Sequence, residues 1–431
     1  MFKQTPLSNT ATPYRESHWS PRQNRRVQQA GATAALVAAA AAGTCLGEFD
    51  AEKYFVYNFG DISLRPRLEV SEVYSSNLFY AETDQVSDLT SYLRPGFGVL
   101  YGDSQEDFVS LSYATDIAVH ATRNDLDYIG HIVGQETRLK RARTTFQAQD
   151  NFTISRTTLG GSFSYIQKPV GVNSLSDDWK IDYNLTPKTL VEAGVQFGMV
   201  DYDAADLGDY RLYDYKSITG TTKIGYMPSE KVVLFPQFSY SRTFLSPNSP
   251  KYGQSPDLSA LSFSLGAQGE FTPKLSGTVS AGYEIREYED NTQVPDGWIA
   301  NLELRWQARP KTTVSLGFRH WIQVTRDSAG SSSIADRPSI SISQQLGTQG
   351  RWTVSATGYY QMDDYNVEYL VGKERITRSD DLLGFGFRSS YRWTAWLTCT
   401  AAYDFSSYRD NLPSVPDYDV HLISLLATAG F

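Results

Sequence analysis

Cysteine is almost missing from this chain of 431 residues: Cys45 and Cys399 are the two. If Cys45 leaves with a targeting segment, one thiol remains and no intrachain disulfide is possible. That excludes a disulfide-stapled scaffold and is compatible with export. Histidine is scarce as well, at five, which argues against a His-rich metal site. No run of about twenty apolar residues exists, so a transmembrane helix is excluded. Mean hydropathy is -0.38, the value of a soluble protein. The chain has no glycine-rich phosphate loop, no metal-ligand spacing and no basic patch of the kind nucleic acid needs. No cofactor, metal or nucleic-acid partner is expected.

What the chain does hold is aromatic side chains and glycine: Tyr 28, Phe 21 and Gly 32. Its length suggests two or three domains, yet no linker of biased composition appears after residue 60. From Ile62 apolar and polar residues alternate, as in Ile62-Ser63-Leu64-Arg65 and again in Val109-Ser110-Leu111-Ser112-Tyr113. Period two is the strand signature. A membrane β-barrel reconciles it with low mean hydropathy, because only alternate residues meet lipid.

The connections alternate short and long. Short ones are 102–107, 140–143, 186–188, 227–230, 272–274, 309–311, 347–350 and 393–395. Long ones lie around 75–88, 121–127, 157–177, 201–214, 244–257, 287–296, 324–336, 363–381 and 406–417. Eight short turns and nine long loops give an all-β, antiparallel barrel of about 18 strands. Ambiguous boundaries at 160–167 and 213–217 leave 16 open. Short periplasmic turns and longer outer loops are the asymmetry of outer-membrane barrels, so the expected location is the bacterial outer membrane. The barrel is expected over 62–431, after a periplasmic lead over 48–61.

Residues 1–47 read as a signal segment. Arg22, Arg25 and Arg26 precede Ala34-Ala35-Leu36-Val37 and a run of alanine, and small residues follow to Gly47. Its removal shifts the net charge from -9 to about -13. At the other end, residues 420–431 are β-prone to the last residue, Phe431. This stretch resembles the closing strand of outer-membrane barrels, whose terminal Phe is read by the barrel-assembly machinery. The implied role of Phe431 is an assembly signal, and the strand should pair with the one starting near Ile62 to close the wall.

Aromatics sit where two interface belts are expected. Tyr101, Tyr226, Phe271, Trp306, Trp352 and Trp393 lie on the short-turn side. Trp179, Tyr240, Tyr283, Trp298, Tyr360 and Tyr403 lie on the long-loop side. Pro66, Pro95, Pro236 and Pro338 fall inside strands, where each removes a ladder donor, and bulges are expected there.

On this register the inward charges include Arg65, Arg67, Arg94, Arg138, Arg286, Arg305, Arg319 and Arg388, with Lys140, Lys180, Lys223 and Arg392. The inward acids include Glu192, Glu284 and Glu303, with Glu69, Asp116, Glu136, Asp182, Glu270 and Asp404. A mildly cationic pore would favour anionic solutes or acidic sugars, although most of these charges could simply pair across strands. No catalytic constellation stands out. His320 is on the outward parity, but Ile322 stands two residues on where a lipase-like Ser would be needed. No enzyme is expected.

At Val70-Ser71-Glu72-Val73-Tyr74-Ser75-Ser76-Asn77-Leu78-Phe79-Tyr80 a first strand ends in Tyr-x-x-Asn-apolar-aromatic, and the second carries Leu93-Arg94-Pro95-Gly96-Phe97. These stretches, with the repeated Thr-Pro-Lys turns at Thr186 and Thr272, resemble the β-barrel porin family associated with exopolysaccharide and capsule export loci. The resemblance implies an outer-membrane conduit for polysaccharide and carries over no catalytic residue. The expected function is a channel for exported polysaccharide or for small polar or anionic solutes. The alternative is a non-conducting structural or adhesion barrel that binds a surface partner through its long loops. Expected partners are outer-membrane lipid and lipopolysaccharide, the assembly machinery, polysaccharide and periplasmic export components.

Overall fold

The computed structural model describes residues 55–103, 106–207, 213–247, 257–289, 296–324 and 332–430. The signal segment expected over 1–47 and the assembly signal expected at Phe431 lie outside the described residues. A short strand, β1 (Tyr57–Phe59), turns at Gly60, whose φ of +62° suits glycine, and folds back on the start of β2 (Ile62–Ser75). Seventeen strands follow: β3 (Asp88–Gly102), β4 (Phe108–His120), β5 (Tyr128–Lys140), β6 (Thr144–Thr158) and β7 (Pro169–Thr186). Then come β8 (Thr189–Tyr202), β9 (Tyr213–Ser229), β10 (Val232–Pro247), β11 (Leu258–Thr272), β12 (Leu275–Tyr288) and β13 (Gly297–Arg309). The last are β14 (Thr312–Val324), β15 (Ser332–Leu346), β16 (Trp352–Val371), β17 (Glu374–Arg392), β18 (Leu397–Asp410) and β19 (Tyr418–Gly430).

Each strand from β2 onward pairs antiparallel with the next, and β19 pairs with β2, from Leu422↔Ser75 to Gly430↔Arg67. The wall is therefore a closed barrel of 18 strands, β2 to β19, and the 16-strand alternative is gone. Closure leaves no long edge exposed. A barrel this wide leaves an aqueous interior rather than a packed core.

The alternation fixes which way side chains point. On β11, Leu261, Phe263 and Leu265 stay 53%, 42% and 58% exposed. No protein covers them, so this parity faces lipid, and Ser262, Ser264 and Gly266 face inward. Repeated turn chemistry gives repeated geometry. Thr186 and Thr272 each accept, through Oγ1, the N–H of the Lys two residues on, Lys188 and Lys274. Both Thr-Pro-Lys turns, and Arg309-Pro310-Lys311, close with a register shift.

Five expectations change. The stretch 363–381 is mostly not loop: β16 and β17 extend to a tight turn at Gly372, where φ is +64°. The loop expected at 157–177 shrinks because β7 begins at Pro169, and the turn at 227–230 moves to 230–231. Of the four prolines, only Pro236 lies near a register shift, at Val232/Leu234. Pro95 and Pro338 instead skip rungs with the register kept, and Pro66 sits just beyond the last β19 partner. A missing rung removes the donor problem without an extra residue. The belts also need one correction. A row of paired positions runs from Tyr240 through Gly220, Val195, Trp179, Ala148, Thr137 and Val109 to Tyr101. It descends from the outer belt to the periplasmic one, because strands in a barrel are tilted. Trp179 lies midway along it, inside the span and not at the outer belt.

Candidate functional site: the lumen and its outer mouth

The inward face of β2 to β4 carries a cross-strand row of charge. Arg94 is opposite Glu69 in the register. Its Nη1 lies 2.6 Å from Glu69 Oε1 and its Nε 2.6 Å from Asp116 Oδ1. Tyr128 donates to the other Asp116 oxygen at 2.8 Å, and Arg67 reaches Glu69 at 2.9 Å. A second cluster sits on β7 to β9. Lys223 and Lys180 approach Glu192 at 3.1 and 3.5 Å, and Lys180 lies 3.7 Å from Asp182. A third is Arg286 with Glu284 at 2.6 Å, the guanidinium also donating to the carbonyl of Ile322. These groups neutralise one another and rigidify the wall.

The remaining sequence-predicted residues fall outside these clusters. Arg65, Arg138, Arg305, Arg319 and Arg388 have inward parity and no carboxylate partner among the described residues. Glu303 has inward parity too, and its polar contact is Asn301 at 3.5 Å. Arg337, absent from the sequence-predicted set, is opposite Arg319 in the register. Each is stacked on an aromatic ring: Arg319 on Trp321 at 4.8 Å, Arg337 on Tyr359 at 4.1 Å. Cation–π contact offsets part of the repulsion between facing like charges. Counting by twos from Ser339 and Ser341 would have found Arg337, but Pro338 beside it obscured the count.

At the outer mouth three loops meet. Residues 159–168, between β6 and β7, contain a short 3₁₀ turn over Gly161–Ile166. The N–H of Gly161 donates to Tyr418 Oη at 2.7 Å, and Ser164 Oγ to the carbonyl of Pro416 at 3.2 Å. Tyr418 lies on the inward parity of β19 and packs at a tilt of 59° against Tyr80 of the 76–87 loop, ring centroids 4.9 Å apart. The 159–168 loop thus leaves its own strands, crosses the width of β2 to β5 and docks on an inward side chain. Beneath it lies an apolar cluster of Tyr408, Leu412, Val415, Tyr418 and Val420.

Beside that cluster Arg378 is 1% exposed and binds Asp410 at 2.8 Å. Its guanidinium also sits over Tyr365, which donates to Asp380 at 2.7 Å. Sequence reading missed this group because it assigned 363–381 to loop. The outward His320 pairs with Asp336 at 2.7 Å and stacks on Trp298 at 3.5 Å, an arrangement without a nucleophile.

A closed 18-strand wall, a polar lumen and short inner turns are the anatomy of an outer-membrane porin. The family model described as "Putative beta-barrel porin 2" matches residues 57–429. The chain belongs to this family. It is an outer-membrane β-barrel of the porin type, located in the bacterial outer membrane. No curated protein sequence matches it. Among solved structures it is similar to OccAB3 of Acinetobacter baumannii, with 11% identity, 86% of this chain and 100% of that chain covered, and a TM-score of 0.45. It is also similar to OpdL of Pseudomonas aeruginosa, at 10% identity, 86% and 99% coverage and a TM-score of 0.45. OpdK of the same organism gives 10% identity, 85% and 98% coverage and 0.47. Likenesses of this degree say nothing about what this porin passes.

Proposed function

We propose that this porin passes anionic polar solutes and that its substrate class is an acidic surface polysaccharide. The observation that supports this reading is the uneven charge pairing of the inward face. Arg65, Arg138, Arg305, Arg319, Arg337 and Arg388 have no carboxylate partner among the described residues, while of the inward carboxylates Glu136, Asp178, Glu303 and Asp404 have no cation there. A pore lined by excess positive charge raises the local concentration of anions and lowers their barrier to entry. The proposed pore-lining set is the sequence-predicted one, with Arg337 added.

The test is the reversal potential of single channels in a salt gradient, followed by block with acidic and neutral oligosaccharides. Anion preference together with block by the acidic oligosaccharide supports the reading. Cation preference ends it. A second reading, a non-conducting barrel with an adhesive outer surface, draws on the inward-docked 159–168 loop. A barrel that never conducts in planar bilayers would favour that one.

A further inference from the structure

The outer ends of β16, β17 and β18 bring three carboxyl groups together on the inward face. Asp363 is opposite Asp380 in the register, and Asp380 is opposite Asp410. The Asp363–Asp380 pair lies three rungs beyond Tyr360 and Leu383 of the outer belt, outside the membrane band. Asp363 and Asp380 are buried, and the Asp410 side chain is fully covered. The buried cation beside them is Arg378, 2.8 Å from Asp410 and 3.7 Å from Asp380. One guanidinium cannot balance three buried carboxylates.

Hydrogen-bond donors are short as well. Tyr365 donates to Asp380 at 2.7 Å. The Tyr408 hydroxyl lies 2.9 Å from both Asp380 and Asp410 but has one hydrogen to give. Gln361 donates to Asp363 Oδ2 at 2.7 Å, while Asp363 Oδ1 is buried and meets no donor. The Asp380 carboxyl stands within hydrogen-bonding reach of Asp363, where two ionised acids would repel. A proton between them supplies the missing donor and removes one negative charge. Burial, and then the neighbouring Asp363, pushes the Asp380 carboxyl up to about 7, and burial raises Asp363 as well. Neighbouring elements add Arg337 of β15, held on the Tyr359 ring, Tyr418 of β19, and Asp417, which accepts the Asp410 N–H. Asp364 and Asp381, next to the pair in the chain, have outward parity.

We infer that Asp363 and Asp380 hold one proton between them and that this proton latches the 159–168 loop. The contacts are continuous. Asp380 holds the Tyr408 hydroxyl, the Tyr408 ring stacks on Tyr418 with centroids 5.3 Å apart, and Tyr418 Oη holds the Gly161 N–H. With the proton in place the two acids stay together and Tyr408 stays against Tyr418. Once it leaves, two buried carboxylates face each other, and the strand ends must part or admit water. A carboxyl raised above its ordinary value stabilises the docked loop at low pH. That stability is lost as pH climbs from the ordinary carboxyl range to about 7. The latch is independent of which solute the lumen passes.

The experiment is hydrogen exchange of the full-length porin in lipid nanodiscs from about pH 5 to about pH 8, read over residues 159–168 relative to the intrinsic rate at each pH. Infrared spectra at about pH 6, where ordinary carboxyls are ionised, read the proton itself. The heat-modifiable gel shift reports that each variant folds. Wild-type protection is expected to fall with rising pH by up to about tenfold per pH unit, the limit for one proton. Asp363→Asn puts an amide donor where the proton was. It should keep the loop protected throughout and lose the protonated-carboxyl band. Tyr408→Phe cuts the contact to Tyr418 and should keep the band while protection stops following pH. Asp419→Asn, at an outward acid bound to Arg409, should behave as wild type. Wild-type protection that ignores pH overturns the proposal. So does a pH dependence that survives Asp363→Asn, or a wild type without the band.

Discussion

The backbone N–H of Gly161 donates to the hydroxyl of Tyr418 across 2.7 Å of space and 257 residues of chain. This bond ties the 159–168 loop to the inward face of the last strand. Gly160 leaves room for it: a Cβ there would stand 3.1 Å from both Tyr418 Oη and the Tyr80 ring. Tyr418→Phe removes the hydroxyl and keeps the ring. The expected outcome is a loop that releases more often, seen as larger or noisier single-channel current. Identical current traces would show that the loop does not limit the pore.

Arg319 and Arg337 should set selectivity more than paired charges do. Replacing both with Gln is expected to shift the reversal potential towards cations. Arg67→Gln, at a residue already compensated by Glu69, should shift it less. Equal shifts would mean that pairing does not govern the field in the lumen.

Arg94 holds two carboxylates, Glu69 and Asp116, whose side chains are 14% and 6% exposed. Arg94→Ala leaves Asp116 without its cation and Glu69 with Arg67 alone. The expected loss is about 1–3 kcal/mol, the cost of an unsatisfied buried polar group. It should appear as a lower temperature for the heat-modifiable gel shift, with Arg94→Lys falling between.

Parity on the closing strand can be tested directly. Leu425 faces outward and is 59% exposed, while Leu426, next to it, faces inward. Leu425→Arg is expected to cost about 2–4 kcal/mol near the bilayer midplane. Leu426→Arg should cost far less, as denaturant unfolding from lipid vesicles would show. The reverse order would mean that the register is wrong by one residue.

At the inner turns, the Lys140 N–H and the Arg141 guanidinium hold the Asp107 carboxyl below its ordinary range. A depressed carboxyl adds stability above its unfolded value and loses it as pH falls through the folded one. The protection of the Lys140 and Arg141 amides, exchange taken relative to its intrinsic rate at each pH, should therefore fall on acidification. Asp107→Asn should remove that dependence.

Much of this fold was legible in the sequence because lipid and water impose period two on every strand. The strand number followed from turn residues such as Thr186-Pro187-Lys188, whose chemistry is local. Trp179 was misplaced because strand tilt is a property of the closed ring and leaves no mark on a single strand. Arg378, Asp380 and Asp410 were missed because polar residues that pair with one another look like solvated loop. The inward parity of Arg94 could be read from its strand. That Arg94 binds two acids while Arg319 binds none depends on neighbours fixed by register.

The ladder that joins β19 to β2 has nine residue pairs, as few as any between neighbours in the wall, and it ends where Pro66 has no donor to offer. It is also the one junction that no hairpin makes covalent. Pulled apart or frayed by heat, the cylinder should part along this line before any other. In assembly the same line is the last to zip, so any partner that must enter or leave sideways through the wall would find its door there.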